Sequence, residues 1–159
     1  MTTRIGIGFD VHAFEEGRAL TLGGVVLPYH SGLAGHSDAD VLAHALMDAI
    51  LGAMRAGDIG AHFPDTDPAF KDVSSLGLME QVAQLVGDQG WRVVDADTVV
   101  VAEAPKIAPY RDAMRENLAR ALGVPVDAVG VKATTTEGLG FTGRGEGIAA
   151  YAVVLLDRL

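Results

Sequence analysis

The chain contains no cysteine. That excludes disulfides, thiolate metal ligands and cysteine nucleophiles together, so any transition metal must be held by histidine and carboxylate. Cations are scarce, with 12 Lys and Arg against 21 Asp and Glu, a net charge of −9. Nucleic acids and anionic membranes both demand clustered cations, so neither is an expected partner. Aromatics are few at 6% of residues. The longest apolar run, Ile148 to Leu156, is too short to cross a bilayer. The N-terminus enters a strand pattern without the basic and apolar regions of a secretion signal, and a cytoplasmic protein is expected.

Against these absences stand 159 residues, 49% hydrophobic, with 20 glycines. This suits one domain, residues 1–159, able to bury about two-thirds of its unfolded surface. Arg4 to Phe9 alternates as a strand, and Ala19 to Leu27 reads as a hairpin turning at Gly23-Gly24. A strong helix runs from Asp38 to Met54, with Ser37 as its expected N-cap and Gly57 beyond its end. Residues 57–68 are loop by their Gly, Pro and Asp content, and a second helix spans about Ser75 to Asp88. Then come a strand at Thr98 to Ala102, a proline-flanked loop, and a helix at Tyr110 to Leu122. A strand at Val129 to Ala133, a glycine-rich loop from Gly138 to Gly147 and a strand from Ile148 to Leu156 follow. The predicted class is α/β (α+β): a single mixed β-sheet with helices packed on one face.

Polar chemistry collects in three segments. GFDVH places Asp10 and His12 two residues apart at a predicted strand end, on one face of the strand. The pair either closes the strand end by a mutual hydrogen bond or supplies two of three ligands to a metal. His44 lies midway between Asp40 and Asp48 on one helical stripe. With Asp10 and His12 it completes two imidazoles and a carboxylate with a fourth position open, the pattern of a catalytic Zn²⁺ site. Asp48 would then orient the His44 ring.

The second segment, GHSDAD, puts His36 and Ser37 at the helix start, where an anion is favoured; the alternative is a solvated loop histidine. The helix dipole contributes only about 0.3–1 kcal/mol at an exposed site, too little to hold a diphosphate on an acidic protein without a dication. In the third, KATTTEGLGFTGRGEG, Thr134, Thr135 and Thr136 offer hydroxyls, Glu137 a carboxylate and Arg144 a phosphate-matching fork. Threonine runs also reflect plain β-propensity, and glycine-rich loops plain turns. An oxygen ligand such as Glu137, together with phosphate oxygens, suits Mg²⁺.

The blocks GFDVH, HSDAD followed by His44, GDIGAHFPDTDP, APKIAPY and KATTTEGLGFTGRGEG occur in register along essentially the whole chain. In them the sequence resembles the 2-C-methyl-D-erythritol 2,4-cyclodiphosphate synthase family. The resemblance implies a lyase of non-mevalonate isoprene biosynthesis. It would cyclise 4-diphosphocytidyl-2-C-methyl-D-erythritol 2-phosphate to the 2,4-cyclodiphosphate and release CMP. It further implies zinc on Asp10, His12 and His44, and Mg²⁺ or Mn²⁺ on Glu137 bridging the diphosphate. His36 and Thr135 fall on positions that stabilise the transition state.

By the same resemblance Asp58, Ile59 and Gly60, with Phe63, Pro64, Asp65, Thr66 and Asp67, hold the methylerythritol and shape the pocket. Ala102, Glu103, Ala104, Pro105, Lys106, Ile107 and Ala108 would form the loop receiving cytosine. Thr134, Thr135 and Thr136 would form the diphosphate turn. A homotrimer with shared active sites is implied, and Phe141, Arg144 and Glu146 match a region near its threefold axis that binds an isoprenoid diphosphate in some members. Two positions depart: Ala39 stands where many members have glycine, and Gly35 where alanine is common. Ala39 is expected in the first helical turn, where alanine is comfortable. Two rivals remain, a non-catalytic zinc-bearing trimer that senses nucleotide or isoprenoid diphosphates, and a zinc hydrolase yielding an open-chain diphosphate.

Overall fold

A computed structural model describes residues 2–159. The strands are β1 (Thr3–Glu16), β2 (Leu20–Leu22), β3 (Val25–Leu27), β4 (Ser31–Leu33), β5 (Trp91–Val101), β6 (Val129–Thr134) and β7 (Gly147–Arg158). The helices are α1 (Val41–Ala53), α2 (Ile59–His62), α3 (Ser75–Asp88), α4 (Arg111–Leu122) and α5 (Gly140–Gly143). Among the described residues, no helix is long and apolar enough to cross a membrane.

The main sheet has five strands in the order β4-β1-β7-β5-β6. Neighbours are antiparallel except β5 and β6, which run parallel and are joined through α4. The hairpin β2-β3 forms a separate two-stranded sheet. The mixed sheet with helices is therefore as expected. The strands are longer than their apolar runs: β5 begins at Trp91, not Thr98, because Trp91, Val93 and Ala96 already alternate into the core across an irregularity at Val93/Asp95. The loop 138–147 contains the single-turn α5.

β1 extends past the expected strand end at Gly8 or Phe9. It pairs with β7 as far as Ala13, then with β4 from Phe14 to Glu16. Asp10 and His12 are thus mid-strand residues, on the same face as Gly6 and Gly8. That face lies against α1, whose backbone comes so close that a Cβ on Gly6 would sit 1.9 Å from the Ala49 carbonyl oxygen. One on Gly8 would sit 1.8 Å from that of Ala45. Nothing larger than glycine fits at either position. The opposite face carries Ile5, Ile7, Phe9 and Val11 of β1 with Tyr151, Val153 and Leu155 of β7, all exposed, Ile7 by 72%.

The N-cap of α1 is Asp40, not Ser37. Its fully buried carboxylate accepts from the Ala43 amide at 3.1 Å and from the amides of Gly23 and Gly24 at 2.9 and 2.8 Å. One side chain therefore ties the β2-β3 turn to the helix start. Burial, the dominant influence, raises its pKa, with these amides opposing.

Ala39 is not in the helix. It precedes it with φ +56°, in the left-handed region where a β-carbon is strained. A Cβ on Gly35 would lie 2.9 Å from that of Ala39, and 3.3 Å from the His12 ring. The two departures are thus one exchange: a single methyl fills this space, donated here from position 39. Gly35→Ala alone should cost about 1–3 kcal/mol by overpacking. Adding Ala39→Gly should recover most of it, since it removes both the colliding methyl and the left-handed alanine. Urea denaturation of the two single variants and the double variant checks this: a coupling of about 1 kcal/mol or more is expected, whereas simple additivity would refute the shared-space account.

Candidate metal centre and active-site cleft

Three ligand atoms meet where β1 faces the first turns of α1. Asp10 Oδ2 lies 2.9 Å from His12 Nε2 and 3.1 Å from His44 Nδ1, and the two ring nitrogens are 3.1 Å apart. Ligands bound at about 2.0–2.1 Å in a tetrahedron stand about 3.3 Å from one another, so this triangle is close to one face of a zinc site. Of all His and acidic groups among the described residues, these three form the cluster able to hold an ion.

Proton positions reinforce the fit. His12 Nδ1 is 2.6 Å from the Ala34 carbonyl oxygen, which can only accept, so Nδ1 carries the hydrogen and Nε2 presents a lone pair when the ring is neutral. His44 Nε2 faces the hydroxyls of Ser37 at 3.2 Å and Ser75 at 2.9 Å, leaving Nδ1 for the triangle. A carboxylate and two ring lone pairs then point at one spot, a set of acceptors that a cation satisfies. Burial favours neutral His12, but hydrogen bonding and attraction to Asp10 outweigh it and raise the pKa. For Asp10 burial acts upward, yet the adjacent His12 and His44 imidazoles prevail and hold its carboxyl far below the usual range.

Asp48 does not orient His44. Its carboxylate accepts from the Ile59 amide at 2.8 Å and fixes the start of α2, while burial raises its pKa. The serines at His44 Nε2 take the expected role, and sequence spacing did not reveal Ser75, which comes from the first position of α3.

The cluster opens into a cleft of about 370 Å³. Its lining brings Asp10, His12, Gly35, His36, Ser37 and His44 together with Ile59, Gly60, Phe63, Pro64 and Asp65. Met47, Phe70 and Leu78 add apolar wall that sequence reading did not single out. His36 Nε2 is 3.0 Å from the Asp67 carbonyl oxygen, and the Asp72 amide donates to the His36 carbonyl at 2.8 Å, which fixes the histidine loop against the 64–73 segment. Asp58 and Asp67 cap turns through the amides of Ala61 and Ala69, both at 2.9 Å, and Thr66 joins them in the same loop outside the lining.

The other predicted residues gather separately, at the paired ends of β5 and β6. The Ala102 amide donates to the Thr134 carbonyl at 3.0 Å. Glu103 accepts from the Gly138 amide at 3.0 Å and the Thr136 amide at 3.3 Å, and so clamps the turn bearing Glu137. Glu137 has φ +56°, with its amide donating to Thr135 Oγ1 at 3.2 Å. Nothing from residues 102–108 or 134–137 lines the cleft. Phe141 lies on α5 and Arg144 at its C-cap, where it pairs with Glu146 at 3.0 Å. One chain therefore carries the predicted site residues in two separate sets.

Protons and a metal compete for His12 Nε2, and its raised pKa moves that competition above the ordinary imidazole value of about 6.5. Zinc affinity should rise with pH across roughly pH 6–8, as a competition titration would show; a flat profile would contradict the assignment. The metal-free fold has the opposite sign. His12 protonation stabilises it below the unfolded pKa, a contribution lost as pH rises through the folded one.

The description YgbB family matches residues 3–157. A 2-C-methyl-D-erythritol 2,4-cyclodiphosphate synthase of Trichlorobacter lovleyi is 61% identical over 153 residues, covering 96% of this chain and 98% of that protein. The synthase of the same name from Desulforamulus reducens is 59% identical, with 98% and 99% covered. Among solved structures, a 2C-methyl-D-erythritol-2,4-cyclodiphosphate synthase in its CDP-bound form superposes with TM-score 0.88 at 41% identity, covering 97% of this chain and all of that one. The bifunctional IspDF of Campylobacter jejuni superposes with TM-score 0.96 at 46% identity, over 99% of this chain and 43% of that longer one. The chain belongs to the YgbB family, together with these synthases.

Proposed function

We propose that the protein is a phosphorus–oxygen lyase that converts 4-diphosphocytidyl-2-C-methyl-D-erythritol 2-phosphate to 2-C-methyl-D-erythritol 2,4-cyclodiphosphate and CMP. The observation that carries this is the three-ligand cluster opening into a cleft, in a chain 61% identical to a synthase of that name. The CDP-bound relative supports a cytidine nucleotide as the leaving portion.

The reaction needs no nucleophilic side chain. A 2-phosphate oxygen attacks the β-phosphorus, one P–O bond forms, the bond to the bridging oxygen breaks, and CMP departs with that oxygen. The obstacle is repulsion: two like unit charges 4 Å apart cost about 4 kcal/mol at an effective dielectric of 20. Asp10, His12 and His44 would hold Zn²⁺, and Glu137 a Mg²⁺ or Mn²⁺, which when bound neutralise phosphate charge. His36 and Thr135 hydrogen-bond the phosphates as charge develops. The 58–67 segment, through Ile59, Gly60, Phe63, Pro64 and Asp65, seats the methylerythritol and keeps the reacting groups in near-attack geometry. Ala102 to Ala108, with Lys106, receive the cytosine, and Thr134 to Thr136 the diphosphate.

The two sets meet across a subunit boundary in this reading. The exposed apolar face of β1 and β7 is covered by further copies in a homotrimer, and the 102–108 and 134–137 segments of one copy complete the cleft of another. Arg144 and Phe141 then lie near the axis. An exposed row of this size on a monomer would be an aggregation liability. The enzyme operates in the cytoplasm, without nucleic acid or membrane.

³¹P NMR of the purified protein with substrate and Mg²⁺ tests the chemistry. Cyclic diphosphate and CMP, abolished by zinc chelation, are expected; an open-chain diphosphate would indicate the hydrolase, and no turnover the sensor. Complementation tests the shared site. His12→Ala and Glu137→Ala variants should each lose at least about 100-fold in activity, and unfolding and refolding them together should restore part of it. No recovery in mixed oligomers would place both residues in one copy's site.

A further inference from the structure

We propose that Ser75 and Asp38 are positioning residues of the metal centre, which fix the His44 ring in the tautomer that leaves Nδ1 free for a metal. This rests on reading Asp10, His12 and His44 as ligands. Ser75 is fully buried, and its Oγ lies 2.9 Å from His44 Nε2. The same Oγ makes a short hydrogen bond to Asp38 Oδ1. Asp38 also accepts the Ser75 amide at 3.1 Å on Oδ2 and the Asp40 amide at 3.2 Å on Oδ1. All three of these contacts are donors, so the carboxylate acts purely as acceptor.

That decides the direction of the chain. The single hydroxyl hydrogen of Ser75 goes to Asp38, and only lone pairs remain toward His44. His44 Nε2 must then donate, and Nδ1 is left bare toward Asp10 and His12. Ser37 Oγ, at 3.2 Å from the same nitrogen, cannot impose this by itself, because its hydrogen is not committed to a carboxylate. A ligand histidine donating through a hydroxyl to a carboxylate is held in place and made more basic. The relay also ties the first residue of α3 and the GHSDAD loop to the ligand set.

The test uses the full chain, wild type first. Chelated protein labelled with ¹⁵N-histidine should show His44 as the Nε2–H tautomer in long-range ¹H–¹⁵N spectra, and zinc should bind in a chromophoric competition assay. Ser75→Ala should admit the Nδ1–H tautomer and weaken zinc binding by about 10–100-fold. Asp38→Asn should shift both readouts in the same direction, and it serves if Ser75→Ala does not fold. Wild-type zinc affinity in both variants, or weakened affinity with the His44 tautomer unchanged, would overturn the relay while leaving the metal centre intact. A wild-type protein that binds no zinc would overturn the metal centre itself.

Discussion

The whole arrangement depends on how closely the backbone of α1 lies on β1. Gly6 and Gly8 meet the carbonyls of Ala49 and Ala45 with no room for a methyl between. This contact sets the separation at which His44, the residue just before Ala45 on α1, faces Asp10 and His12 further along β1. A larger side chain at either glycine would lift the helix by an ångström or more and spread a triangle whose sides are now 2.9–3.1 Å. Small residues in the contact therefore serve metal geometry, even though none of them touches the site.

Electrostatics explains why a protein with net charge −9 can address a polyanion. Its carboxylates near the cleft are largely occupied. Asp40 binds three amides, Asp38 three donors, Asp48 the start of α2, and Asp58 and Asp67 cap turns. Such groups spend their charge on local amides and hydroxyls, so little uncompensated negative charge beyond the Asp10–His12–His44 triangle faces the cleft. The split between that triangle and the Glu137 turn follows from the sheet. Asp10 and His12 lie on β1 and the Glu137 turn follows β6, and β7 and β5 separate those two strands.

Much of the fold was legible because amphipathic periodicity and glycine punctuation report directly on local structure. The helices at 41–53, 75–88 and 111–122 fall within a few residues of their expected bounds. The departures share a cause, which is that tertiary partners decided them. Ser37 stood at a plausible cap position, but the hairpin turn at Gly23-Gly24 offered amides that only Asp40 could reach. Asp48 had the right helical spacing to support His44, yet the Ile59 amide claimed it. Ala39 looked comfortable as helix until its φ proved positive and its methyl proved to fill the space beside Gly35.

The sequence by itself determined the chemistry on offer: no thiol, three ligands of the right kind, and acidic and threonine-rich segments in a recognisable order. It did so because side-chain identity and short-range spacing are local properties. Tertiary structure alone decided which groups meet. Ser75 lies 31 residues from His44 and 37 from Asp38, so no periodicity links them, and hydrogen-bond direction emerges only when α3 packs beside the GHSDAD loop. The same holds for the separation of Glu137 from Asp10, His12 and His44, because strand order in a sheet is set by which faces can be buried together, not by any local pattern.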